Sequence, residues 1–231
     1  MASTPPNDEA FLREVDEELR REQIQTMWKR YGRLALGLIL LGLAGFAAFL
    51  FWRAETQKKA DERSEQFSAV IADIQAGRKT DAGKKVDALI ADGGAGYRVV
   101  ALFTKAALAA DKGDIKGAAS IYAGVAADDS VAQPFRDIAL IRQTLIEYDQ
   151  LKPQQVIDRL KPLANKDNGF FGTAGELTAM AMIQANRPAE AGRLLAAVAA
   201  DPETPQTLRD RAGRLAASLG ADVAAPQADK D

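Results

Sequence analysis

The chain has 231 residues, with 30 Lys and Arg set against 32 Asp and Glu, and neither His nor Cys. Lack of Cys rules out disulfides, thiol redox chemistry and Cys-ligated zinc, and lack of His removes the commonest general base and metal ligand. Near-balanced charge and 6% aromatic residues leave no basic footprint or stacking platform, so no nucleic-acid partner is expected.

In chain order, residues 1–33 come first. Phe11, Leu12, Val15 and Leu19 fall on one side of a predicted helix opening near Asn7-Asp8, with acids in its first half and Lys and Arg at its end. That order suits the helix dipole. The segment reads either as a docking or surface helix or as an unstructured solubilising tail.

Residues 34–52, LALGLILLGLAGFAAFLFW, carry no charge. As a helix they would span roughly 28 Å, close to the hydrocarbon thickness of a bilayer. Eleven of the nineteen are Leu, Ile or Phe, which favours insertion by roughly 3–6 kcal/mol. Trp28, Tyr31 and Trp52 flank the run as membrane-interface residues. A cleaved signal peptide is disfavoured, because the preceding segment is long and acidic and FWRAETQ offers no small-residue cleavage site. Lys29, Arg30 and Arg33 nearly balance Arg53, Lys58 and Lys59 across the span, and Arg20 and Arg21 tip the reading toward a cytoplasmic N-terminus. Gly42 and Gly45, with Ala35, Ala44, Ala47 and Ala48, form a light side that fits either a second helix or lipid.

From Phe46 to Ala76 there is no Gly or Pro, so the helix is expected to continue as a stalk, 53–76, merging into a repeat domain over 66–219. There, apolar residues recur at helical spacing. The stripes are Phe67, Val70, Ile71 and Ile74; Val86, Leu89 and Ile90; Leu102, Ala106 and Ala109; Ile138, Ile141, Leu145 and Tyr148; and Leu194, Leu195 and Val198. Tight-turn signals begin at 77, 113, 152 and 187, spaced by 36, 39 and 35 residues. Looser loop signals at 93, 129, 167 and 202 are spaced by 36, 38 and 35. Two series with one period describe a repeat of helix, tight turn, helix and loop, close to the tetratricopeptide unit. Gly113, Ala118, Ala119 and Tyr122 carry the associated packing pattern, in which small residues let helices approach and an aromatic covers the gap. Pro153, Pro188 and Ala191 mark the starts of later second helices. The predicted fold is all-α: a single transmembrane helix followed by a right-handed superhelix of divergent tetratricopeptide-like helix pairs. Thr204-Pro205 to Leu219 would cap the stack, and 220–231 reads as a disordered tail.

No catalytic, cofactor or metal site emerges. Asp92-Gly93-Gly94-Ala95-Gly96 lacks the Gly-Lys-Ser/Thr and the preceding strand of a phosphate loop, and reads as an inter-repeat loop. Asp111 with Asp114, and Asp128-Asp129, lack the twelve-residue calcium loop and read as helix-end turns.

The string FLREVDEELRREQIQTMWKRYG (Phe11 to Gly32), followed by one span and an Ala-rich repeat region, resembles the family of YfgM-type ancillary subunits of the SecYEG translocon, and within it the alphaproteobacterial branch. The resemblance implies a bacterial inner-membrane protein with a cytoplasmic N-terminus and a periplasmic repeat domain. It also implies partners among translocon subunits and a membrane-anchored periplasmic chaperone of the parvulin type. The expected function is a non-enzymatic scaffold or co-chaperone that assists export and folding, binding through the concave face of the repeats. The alternative is a membrane-anchored adaptor in another envelope process, such as cell-division coordination or envelope assembly. An enzyme is the weakest reading, and self-association is left open.

Overall fold

The computed structural model describes residues 6–221, with side chains over 29–221 apart from Ala35 and Ala95. The expected apolar side of Phe11, Leu12, Val15 and Leu19, the interface position of Trp28 and the tail beyond Ala221 lie outside the described residues or side chains. The fold is all-α. The described helices are α1 (Pro6–Gln75), α2 (Lys79–Asp92), α3 (Gly94–Asp111), α4 (Ile115–Ala127), α5 (Gln133–Glu147), α6 (Pro153–Leu160), α7 (Phe171–Gln184), α8 (Pro188–Ala199) and α9 (Gln206–Ser218).

Contacts divide the chain into two compact units, Met1–Glu62 and Arg63–Asp231. In the first unit, α1 holds the one stretch among the described residues that is long and apolar enough to cross a membrane. Every described residue from Leu34 to Trp52 is exposed, including Leu41 at 73% and Phe51 at 73%. A soluble fold would bury such a helix, because each large apolar side chain left in water forgoes about 1.5–3 kcal/mol.

The second unit is a stack. Val70, Ala82, Val86, Leu89, Ala101 and Leu108 form one cluster from α1, α2 and α3. Val99, Ala106, Ala118, Tyr122 and Ala139 belong to the next, from α3, α4 and α5. A third joins α5, α6 and α7 through Ile141, Val156, Leu160 and Ala181, and a fourth joins α7, α8 and α9 through Phe171, Leu195, Val198 and Ala216. Thus α3, α5 and α7 each contribute to two clusters, while α2, α4, α6 and α8 each contribute to one. Of the first helices, α3, α5 and α7 are covered from both sides while α1 is covered from one, and no pair buries its apolar surface alone.

The tight turns explain how neighbouring helices reverse. Gly77 (φ 74°), Gly113 (φ 83°) and Asn186 (φ 58°) occupy the left-handed region. At each, the following amide reaches back to the helix it leaves: Arg78 to Asp73 O at 2.8 Å, Asp114 to Ala109 O at 2.9 Å and Arg187 to Met182 O at 2.8 Å. With the companion bonds from Gly77 to Ile74, Gly113 to Ala110 and Asn186 to Ile183, these are Schellman motifs. The turn at Lys152-Pro153 is of another kind. A 3-10 turn at Tyr148–Gln150 precedes it, and the Lys152 amide donates to Gln155 Oε1 at 2.9 Å, so Pro153 opens α6 without an orphan donor.

Three expectations are corrected. The loop expected around Asp92-Gly93-Gly94 is a single residue, Gly93, between α2 and α3. Ile71 is 38% exposed; on that part of α1 the buried polar residue is Asp73, which pairs with Arg78 and Lys85. Leu145 is 47% exposed, and its place inside is taken by Thr144, whose hydroxyl donates to Leu140 O at 2.7 Å. A back-bonded threonine presents only its methyl to neighbours, which hydrophobic spacing alone does not reveal.

Candidate functional site

On α1, Tyr31 is 53% and Trp52 is 68% exposed, and the Arg30 guanidinium lies 5.8 Å from the Tyr31 ring centre. A Cβ added at Gly42 or Gly45 would meet nothing within 4 Å. The structure therefore leaves these two glycines open and brings no described partner to them.

The repeat residues come together within α3, α4 and α5. Gly113 supplies the turn, and Asp114 caps α4 by accepting the Gly117 amide at 2.9 Å. That cap sits so close that a Cβ at Gly117 would fall 2.7 Å from the Asp114 carboxyl carbon. Ala118 and Ala119 are buried, and the buried Tyr122 ring lies 5.8 Å from Phe103, tilted by 45°. Pro153 and Pro188 stand at the first positions of α6 and α8, and Ala191 is fully buried beside Leu195. The structure does not gather these two prolines with Tyr122; each serves its own pair. Asp128, weighed above for calcium, accepts both the amide and the hydroxyl of Ser130 at 3.0 and 2.6 Å, which is a helix-end turn. Those bonds, the hydroxyl's first, hold its carboxyl below the ordinary range.

Sequence reasoning missed a groove of about 420 Å³ formed where α6 and α8 flank α7. Ile157 of α6, Met182 of α7 and Leu194 of α8 give it apolar walls. Its charged residues are Asp158, Lys161, Arg187, Glu190 and Arg193. Arg187 is held by Glu190 through two bonds of 2.7 Å and reaches Gln154 Oε1 at 3.3 Å. The Arg187 bonds draw the Glu190 carboxyl below its ordinary value. Asp158 accepts from Gln154 at 2.8 Å. Lys161 and Arg193 have no ion-pair partner among the described residues. Thr178 also lines the groove; it is 2% exposed, and its Oγ1 has no hydrogen-bond partner among the described residues. Gln154 and Arg187 stand 33 residues apart, close to one repeat period. Superposing the repeats was the one signal that could have brought them together.

The model of the tetratricopeptide repeat-like domain family matches residues 25–216. The chain is similar to the ancillary SecYEG translocon subunit of Haemophilus influenzae, 22% identical over 134 residues. That alignment covers 58% of this chain and 65% of the relative, so the chain spans less than two thirds of the relative's length. No solved structure matches.

Proposed function

This chain belongs to the tetratricopeptide repeat-like domain family, and from that premise we propose that it is a membrane-anchored, non-enzymatic scaffold working beside the Sec translocon. The observation that carries this reading is the pairing, on one chain, of a stack of helix pairs with an apolar stretch, 34–52, whose described residues are all exposed. A stack of this kind offers long binding surfaces to helices or extended segments, and the apolar helix keeps them at a bilayer. The likeness to a protein named as an ancillary SecYEG translocon subunit supports the choice of machine, and the string from Glu14 to Gly32 favours the alphaproteobacterial branch. In this reading the protein sits in a bacterial inner membrane as a single-pass type II protein. Its N-terminus is cytoplasmic, its repeats are periplasmic, and its partners are translocon subunits and a parvulin-type membrane-anchored chaperone.

Photo-crosslinkers placed at Gly42 and at the exposed second-helix residues Lys84, Lys116 and Gln154, in intact inner membranes, are expected to capture translocon subunits or that chaperone. Capture of neither, or of division proteins instead, discards the translocon reading. A reporter that works only after export is expected to be active when fused after Asp231. Activity of a cytoplasm-only reporter there would reverse the orientation.

A further inference from the structure

We propose that Lys29, Arg30 and Arg33 of α1 form a binding site for the phosphate headgroup of an anionic phospholipid, at the edge of the apolar run 34–52. This rests on the membrane-anchored reading above and adds to it a site and a class of ligand.

Charge balance sets the two ends of the run apart. Residues 20–33 hold five Lys and Arg against one acid, whereas residues 53–66 hold four against four. After the run, Lys59 pairs with Glu55 at 3.4 Å, and Lys58 stands three residues from both Glu55 and Asp61. Before it, no acid stands three or four residues from Lys29, Arg30 or Arg33, the spacings at which helix neighbours meet. All three side chains are exposed. At about 100° per residue they share an arc of roughly 100° on the helix, which sets like charges side by side. Such neighbours repel one another, and an anion placed between them relieves the repulsion.

Depth decides which anion. Arg33 adjoins Leu34, and Lys29 lies four residues further out, about 6 Å along the axis. The headgroup layer is about 5–8 Å deep on each side of the hydrocarbon. The cluster therefore falls within that layer, where lipid phosphates are the abundant anions. Guanidinium forks match phosphate oxygens. The Arg30 guanidinium, 5.8 Å from the Tyr31 ring centre, rests on a ring type that itself favours the headgroup level. A zwitterionic headgroup brings its own cation against the cluster, so a headgroup of net negative charge is preferred.

The test reads tryptophan quenching in the full-length chain reconstituted into phosphatidylcholine vesicles. Trp28 and Trp52 are its two tryptophans. Trp52→Phe leaves a reporter next to Lys29, and Trp28→Phe leaves one at the far end of the run. The probes are phosphatidylglycerol and phosphatidylcholine brominated high in the acyl chain; present in both leaflets, they report whichever way the chain inserts. At Trp28 the anionic probe is expected to compete for contact about fivefold better than the zwitterionic one, and less so as salt rises. At Trp52 the two should agree within about twofold. Lys29→Gln with Arg30→Gln and Arg33→Gln should leave the circular dichroism unchanged and bring the ratio at Trp28 below about twofold. Lys58→Gln with Lys59→Gln should leave that ratio at about fivefold. A triple variant that keeps the preference, or an equal loss in the Lys58 and Lys59 variant, overturns the proposal. Equal quenching by the two probes at Trp28 overturns it too, and a Trp28 emission shift with inorganic phosphate would then assign the cluster to a free anion. Quenching at both tryptophans without preference removes the lipid site alone, whereas no quenching at either removes the membrane reading with it.

Discussion

Gly175 on α7 shows how much one missing side chain permits. A Cβ there would lie 2.7 Å from Val198 Cγ2, and Val198 is fully buried with no room to turn away. Gly175→Ala is therefore expected to destabilise the chain by about 1–3 kcal/mol, read as a lower urea midpoint followed by circular dichroism. An unchanged midpoint would mean that α7 and α8 can separate freely. Asp73 is the second informative residue. It is 4% exposed and accepts from Lys85 at 2.6 Å and from Arg78 at 2.6 Å. These bonds, that of Lys85 first, hold its carboxyl below the ordinary range, and the same direction applies to Glu190 and Asp128. A depressed folded value contributes stability that is fully present above the unfolded value of about 3.9 and is lost as pH falls through the lower folded value. Stability should thus decline below about pH 4. Asp73→Asn is expected to lower the urea midpoint at neutral pH and to flatten that acid decline; an equally steep decline in the variant would exclude Asp73 as a contributor.

At the scale of elements, the turns carry the repeat. Gly113→Ala forces a Cβ into a left-handed position and is expected to cost about 1–2 kcal/mol, whereas Asn186→Gly at the matching turn should cost nothing measurable or stabilise slightly. Comparing the two unfolding curves checks the assignment, and equal losses would contradict it. These turns were partly legible beforehand. Gly77 and Gly113 announce themselves because glycine tolerates φ above zero, and the spacing of the series followed from them. Asn186 was hidden beside the more conspicuous Arg187-Pro188, since asparagine takes the left-handed region less often and signals many other things. The helix faces were read less well. Ile71 and Leu145 match a helical period, yet the buried partners are Asp73 and Thr144, because ion pairing and back-bonding let polar residues enter where spacing expects apolar ones. On α3, α5 and α7 periodicity is also a blunt guide, because neighbours cover two sides and small residues such as Ala174, Ala179 and Ala181 give little contrast between faces.

At the scale of the whole molecule, the proposed membrane attachment rests on residues 34–52. Leu43→Asp with Phe46→Asp places two charges mid-run at about 2.5–3.5 kcal/mol each, offsetting the roughly 3–6 kcal/mol that favours insertion. The double variant is expected to move into the soluble fraction on carbonate extraction; retention in the pellet would show that other contacts hold the chain. That apolar run, the near-equal charges, the lack of His and Cys and the repeat period near 36 residues were determined by the sequence itself, because each is a property of composition or of order along the chain. Which side chains the repeats bury twice, how α6 and α8 frame α7, and the meeting of Lys161, Thr178 and Arg193 in one groove were decided only by tertiary structure. Those residues stand just past the end of α6, on α7 and on α8, and nothing in their local sequence registers the packing that makes them neighbours.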